Sequence, residues 1–177
     1  MAMDLNIPII QVVGYQNSGK TTVIEKIIAY FDHTGRQVGT IKHHGHGGEP
    51  ASIDDGKDSF RHRQAGAVAT TVEGDGVLQL QASNKKWELI DILAMYSHID
   101  LNLIIIEGYK DAPYQKIVMI REEKDIDLLT TLVNIKAVIT WIPLDLVEIT
   151  EKYELFSIHE EEQLIEWLNN VVRDFNE

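Results

Sequence analysis

The sequence predicts an α/β fold: a mainly parallel sheet flanked by helices, with an antiparallel hairpin inserted. Three observations carry this. Short apolar runs alternate with segments of helical periodicity, which implies parallel strands joined by right-handed crossovers. A glycine-bounded loop joins the first such strand to the first such helix. One pair of strand-like runs flanks Glu73-Gly74-Asp75-Gly76, a hairpin signal.

Ile9 to Val13 is a short apolar run ending at a glycine and reads as a buried strand. From Thr21 onward, Val23, Ile24, Ile27, Ile28 and Phe31 recur at helical spacing, and Gly35 supplies the stop. Gln37 to Lys42 is a second strand. His43 to Gly56, rich in His, Gly, Asp and Pro, is a long loop of the kind that often carries function. Lys57 to Gly66 forms a short helix, and Ala67-Val72 with Val77-Ala82 form the hairpin. Trp87, Leu89, Ile90, Leu93 and Ala94 mark a second amphipathic helix. Leu103 to Ile106 is a fully apolar strand that ends at Glu107-Gly108. Lys116-Ile120 and Ala137-Trp141 are two more strands. Leu164, Ile165, Leu168 and Val171 mark a C-terminal helix. No repeat, low-complexity segment or long linker divides the chain, so residues 1–177 are expected to form a single domain.

Composition narrows the function. Of 177 residues, 44% are hydrophobic and 25% charged, enough for a core and a soluble surface. No stretch approaches the roughly 18 apolar residues of a membrane span, and the start lacks a basic segment before an apolar one, so no secretory signal is expected. The absence of cysteine excludes disulfides, thiolate metal sites and cysteine nucleophiles and fits a cytoplasmic protein. A net charge of -12 repels nucleic acid and anionic lipid, so neither is expected as a partner. An acidic chain that binds a polyanion must gather its cations in one place; Lys20, Lys42, Lys57, Arg61, Arg63 and Lys110 are the ones that stand out.

The strongest motif is Gly14-Tyr15-Gln16-Asn17-Ser18-Gly19-Lys20-Thr21, which matches the Walker A pattern G-x-x-x-x-G-K-[ST] in its required strand-to-helix context. Gly14 and Gly19 permit backbone angles and approaches that a side chain would block. The loop amides and the helix N-terminus aim donors at phosphates. Lys20 places positive charge near the β- and γ-phosphates, and the Thr21 hydroxyl is a ligand for Mg²⁺. This motif specifies a P-loop NTPase fold, and hence a single P-loop NTP-binding domain. Such folds carry an acidic residue at the end of another apolar strand, on the metal side. Glu107 has that position, its length suiting contact through a water; the alternative is a solvated carboxylate at a strand end. Lys110, just beyond, faces phosphate or a second anionic substrate.

The loop after the second strand holds His43, His44 and His46, which read as a polar loop, as nucleotide or Mg²⁺ contacts, or as a transition-metal site. In the helix that follows, Asp58 and His62 share a face, as do Ser59 and Arg63.

Taken together and in order, the phosphate loop through Thr22, Ile41-Lys42-His43-His44, the run Gly56-Lys57-Asp58-Ser59-Phe60-Arg61-His62-Arg63-Gln64-Ala65-Gly66-Ala67, and Ile106-Glu107-Gly108-Tyr109-Lys110 resemble the MobB family, the molybdopterin-guanine dinucleotide biosynthesis protein B. The resemblance extends from about Ile9 to Trp141. It implies GTP with Mg²⁺, a homodimer and slow intrinsic GTPase activity. It also implies an accessory role in attaching GMP to molybdopterin, with the nucleotidyl transfer itself belonging to the guanylyltransferase MobA and a further contact to a molybdenum-insertion protein. By the same analogy Gly14 to Thr22 carry the phosphates, Thr21 and Glu107 serve Mg²⁺, and Asp58 is a further metal-side residue.

Guanine selection commonly uses an N-K-x-D element, which the chain lacks. Asp145, shortly after the last of the central strands, stands at a suitable place; its alternative is an ordinary loop aspartate. No water-positioning glutamine or arginine finger is evident, although Gln16, Arg61, Arg63 or a partner's residue could serve, so turnover is expected to be slow and catalytic residues are not assigned. Two competing readings stand: a small-molecule kinase, with Asp58 or His62 as base, and a metallochaperone GTPase using His43, His44 and His46. Lys110, Arg61 and Arg63 are candidate contacts for a pterin phosphate.

Overall fold

The computed structural model describes residues 6–45, 47–144, 149 and 151–175. They fall into two compact units: the first takes the chain up to Gly45 and again from Leu93, and the second is the segment between. In chain order the strands are β1 (Ile9–Val13), β2 (Val38–Lys42), β3 (Ala69–Gly74), β4 (Val77–Ala82), β5 (Leu103–Glu107), β6 (Gln115–Ile120), β7 (Ile135–Thr140) and β8 (Glu154–Ser157). The helices are α1 (Lys20–His33), α2 (Asp58–Gln64), α3 (Leu89–Tyr96), α4 (Leu128–Thr131) and α5 (Glu161–Phe175), with a 3₁₀ turn at Glu123–Asp127.

The first unit is built on a six-stranded sheet in the order β2-β5-β1-β6-β7-β8, parallel at every pairing. β1 lies between β5 and β6, with Val12 level with Glu107 and Val13 level with Val118. The two sheet faces are read off the period-2 alternation. Ile10, Val12, Leu103, Ile105, Ile117 and Met119 pack with Val23, Ile24, Ile27 and Phe31 of α1 and with Leu164 and Leu168 of α5. Val13, Val118, Ile120 and Val138 form a second cluster with Leu128 of α4. Covering on both faces is why β5 and β6 are apolar almost without interruption.

The helix stop operates as the residues predict. Gly35 has φ +76°; its amide donates to Asp32 O at 2.9 Å and that of Arg36 to Phe31 O at 2.9 Å, a Schellman closure. Three elements were not anticipated. β8 has a single buried residue, Phe156, too little for a strand pattern. The 3₁₀ turn and α4 together span nine residues and show no apolar stripe.

In the second unit β3 and β4 pair antiparallel, as expected, but the strands continue through Glu73 and Gly74, leaving only Asp75-Gly76 as the turn. Both have positive φ, 51° and 79°, the type I′ geometry that suits strand twist. Arg63 of α2 is locked to Asp54: Nη1 donates to Oδ2 at 2.7 Å and Nη2 pairs with Oδ1. Ser52 and Ser59 also donate to this carboxylate, and Arg63 Nη1 donates to Thr70 Oγ1 of β3 at 2.8 Å. One bidentate pair thus ties together the segment before α2, α2 itself and the hairpin. No helix among the described residues is long and apolar enough to cross a membrane.

Candidate phosphate-binding site

The loop Gly14–Gly19 leaves the C-terminal end of the central strand β1 and enters α1 at Lys20, at the edge where parallel α/β sheets bind ligands. Its backbone is tightly determined. A Cβ on Gly14 would meet Ser18 Oγ at 2.6 Å and Met119 Cβ at 2.9 Å, so only glycine fits. Asn17 and Gly19 have positive φ, 61° and 94°. The side chain of Lys20 lies back over the loop, with Nζ donating to Tyr15 O at 2.6 Å and Gly14 O at 3.3 Å.

A second layer of residues grips the loop from outside. Trp141, just after β7, donates from Nε1 to Ser18 O at 2.9 Å and packs on Gly19. Arg121, just after β6, donates to Asn17 O, and its guanidinium lies 5.8 Å from the Trp141 ring. The Tyr15 hydroxyl donates to Asp127 Oδ2 at 2.8 Å. None of Arg121, Asp127 or this role for Trp141 was found from the sequence. The available signal was positional: residues directly after parallel strands line the sheet's ligand edge.

The acidic element stands where expected. Glu107 ends β5, half-buried, and by alternation shares with Leu103 and Ile105 the sheet face that packs on α1. Lys42, level with it on β2, pairs with it at 3.2 Å. Burial pushes the Lys20 ammonium below its ordinary value; Glu107 opposes this, while Lys110 and Lys42 add to it. Lys20 therefore feels the charge of Lys42 and Lys110, and of the cations singled out in the sequence these three lie within the first unit. Lys110 Nζ lies 4.2 Å from the Tyr15 ring centroid.

The turn carrying Lys110 is anchored from below. Gly108 has φ +92°, and a Cβ there would meet His43 Cβ at 3.1 Å. Gln11 and Lys116, level with each other on β1 and β6 and both fully buried, hold this turn. Gln11 Nε2 donates to Gly108 O at 3.0 Å and Tyr109 O at 2.8 Å, and Lys116 Nζ to Ala112 O and Tyr114 O. Burial lowers the Lys116 ammonium from its ordinary value.

The remaining candidates are distributed as follows. Thr21 is exposed on the first turn of α1. The Thr21 hydroxyl and Glu107 carboxylate are hard oxygen donors, a set that fits Mg²⁺, which takes one or two protein ligands and completes its shell with phosphate and water. Asp58 belongs to the second unit, is exposed, and pairs with Arg61 at 3.6 Å. The His43 ring lies 4.5 Å from that of Tyr109, and no cluster of three His, Asp or Glu side chains able to hold a metal occurs among the described residues. His46 and Asp145 lie outside the described residues.

The chain is 48% identical over 139 residues to the "Probable molybdopterin-guanine dinucleotide biosynthesis adapter protein" of Bacillus subtilis, covering 78% of this chain and 79% of that one. Among solved structures, that of Bacillus subtilis MobB matches with TM-score 0.78 at 40% identity, over 93% of this chain and 97% of the other. A MobB homolog from Bacillus stearothermophilus matches with TM-score 0.76 at 40% identity, over 96% and 99%. The family model for molybdopterin guanine dinucleotide synthesis protein B matches residues 9–141, which include the phosphate loop, Glu107 and Trp141, and the chain therefore belongs to the MobB family.

Proposed function

We propose that this protein binds GTP with Mg²⁺ on Gly14 to Thr22 while serving as an adapter in molybdopterin-guanine dinucleotide biosynthesis. The adapter role follows from family membership. The observation that supports the nucleotide reading is the loop itself: a glycine-constrained turn between β1 and α1, with Lys20, Lys42 and Lys110 gathered around it in a chain of net charge -12. Thr21 and Glu107 hold the Mg²⁺, which offsets phosphate charge when bound; Asp58 is proposed as an additional metal-side residue and Asp145 as the acceptor for the guanine edge.

Hydrolysis is slow in this reading, because every arginine has another partner. Arg36 donates to Asn169, Arg61 pairs with Asp58, Arg63 with Asp54, Arg121 with Asn17 O and Arg173 with Asp174. In this reading the loop holds the nucleotide more than it consumes it. The protein acts in the cytoplasm as a homodimer, with the guanylyltransferase MobA, a molybdenum-insertion protein and molybdopterin as its partners. Exposed Leu78 and Leu80, on one face of the β3–β4 hairpin, support self-association.

The test is co-purification of this protein with the guanylyltransferase, with and without GTP, beside a GTPase assay. Retention that depends on GTP and turnover below roughly 1 s⁻¹ are expected. GTP-independent retention, or turnover well above that rate, would refute the nucleotide-holding adapter.

A further inference from the structure

Burying an ammonium or an amide inside a sheet is unfavourable, and an apolar side chain would serve packing as well at either place. Gln11 of β1 and Lys116 of β6 are nevertheless fully buried, level with each other. The four hydrogen bonds that their side chains donate all go to one short segment, the turn from Gly108 to Tyr114. Gln11 takes the carbonyls of Gly108 and Tyr109, and Lys116 those of Ala112 and Tyr114. Between the two grips stands Lys110, whose ammonium lies 4.2 Å from the centroid of the Tyr15 ring on the phosphate loop. From this arrangement we infer that Gln11 and Lys116 are positioning residues for the ligand site: they fix the turn so that Lys110 is presented to the phosphates bound on Gly14 to Thr22. The inference rests on the phosphate-loop reading above and adds how a cation from outside the motif is held in place.

The backbone of the turn is of a kind that needs holding. Gly108 and Tyr109 both have positive φ, 92° and 51°. Tyr109 is not glycine, so its conformation persists only where the surroundings determine it, and such backbone gathers at functional sites. The two carbonyls that Gln11 holds belong to these two residues. The rest of the turn is tied as well: Ala112 N donates to Tyr109 O at 2.8 Å, and Asn134 Nδ2 to Pro113 O at 2.6 Å. Lys110 is available to an anion. Lys42 is paired with Glu107, whereas no carboxylate among the described residues lies within ion-pair distance of Lys110. An ammonium resting on an aromatic face still has protons to donate to phosphate oxygens. A lysine stem is flexible, and a rigid base beneath it lowers the ordering cost that binding incurs.

The experiment is calorimetric titration of the full chain with Mg²⁺–GTP. It compares the unmodified protein with Lys110→Ala, Lys116→Met and Gln11→Met, and with each methionine variant carrying Lys110→Ala as well. Methionine fills the buried space without the donor, and the two sites check each other. Lys110→Ala is expected to weaken binding about ten-fold, the scale of one charge-assisted contact. Lys116→Met and Gln11→Met are each expected to weaken it about five-fold or more. Adding Lys110→Ala to either is expected to cost no more than about two-fold further, because the contact is already lost. A merely structural role would leave the Lys110→Ala effect at its full size in both backgrounds, and that result overturns the inference. Unchanged affinity in Lys110→Ala, or in both methionine variants, also overturns it while leaving the phosphate site standing. Absence of binding to the unmodified protein overturns the phosphate-site reading and the positioning role with it.

Discussion

At the scale of single residues, the two glycines of the loop illustrate what a motif does and does not convey. Their spacing is visible in the sequence, and so is the need for unusual backbone. What Gly14 must avoid is not visible, because Met119 is 105 positions away and meets it only once β6 lies beside β1. Gly14→Ala inserts a methyl 2.6 Å from Ser18 Oγ and 2.9 Å from Met119 Cβ, where overpacking costs roughly 1–3 kcal/mol and the loop must move. Gly35→Ala meets nothing within 4 Å and incurs only the left-handed backbone cost, roughly 1–2 kcal/mol. Comparable thermal destabilisation is expected from both, with nucleotide affinity lost at least about ten-fold in Gly14→Ala alone; titration of each variant checks it, and unimpaired binding in Gly14→Ala contradicts the assigned loop. Gln11 and Lys116 were missed for a related reason. A glutamine and a lysine inside apolar strands look like noise until the Gly108–Tyr114 turn is seen to supply carbonyl partners.

At the scale of elements, periodicity located five of the six strands of the parallel sheet and the two long helices, since burial on both faces or along one stripe leaves a readable pattern. β8 and α4 escaped because four residues carry too little pattern, and their stability comes from neighbours in the sheet. The hairpin was legible from Glu73-Gly74-Asp75-Gly76, but the pair that stabilises its unit, Asp54–Arg63, depends on residues nine apart across a loop. That pair makes the second unit acid-sensitive. Hydrogen bonds from Arg63, Ser59 and Ser52 hold the Asp54 carboxyl well below the usual carboxylate range. A folded-state value below the unfolded one means the stabilisation is complete above the unfolded value, about 3.9, and is lost as pH falls beneath it. The protection factors of the β3–β4 amides, taken against intrinsic exchange at each pH, are expected to fall through that acid range. Asp54→Asn should show lower protection already at neutral pH and no further fall with acid; an unchanged protection profile in Asp54→Asn would rule the pair out as its source.

At the scale of the whole molecule, the governing fact is charge segregation. The chain carries a formal charge of -12, yet Lys20 lies over the loop, Lys110 sits on the loop's Tyr15 ring, and Lys42 pairs with Glu107 at the end of the neighbouring strand. The sequence announced the need for such a cluster; only the strand order β2-β5-β1 shows that Lys42 and Glu107 stand side by side next to the loop. The loop's outer grip by Arg121 and Trp141 arises the same way, from β6 and β7 ending level with it. Calorimetric titration with Mg²⁺–GTP of the unmodified protein and of Lys20→Ala tests the phosphate site most directly. Saturable binding is expected for the first, with affinity reduced about ten-fold or more in the second, since the proposed site relies on Lys20 as its cation at the phosphates. Equal affinity in the two proteins, or no binding to the unmodified one, would contradict it.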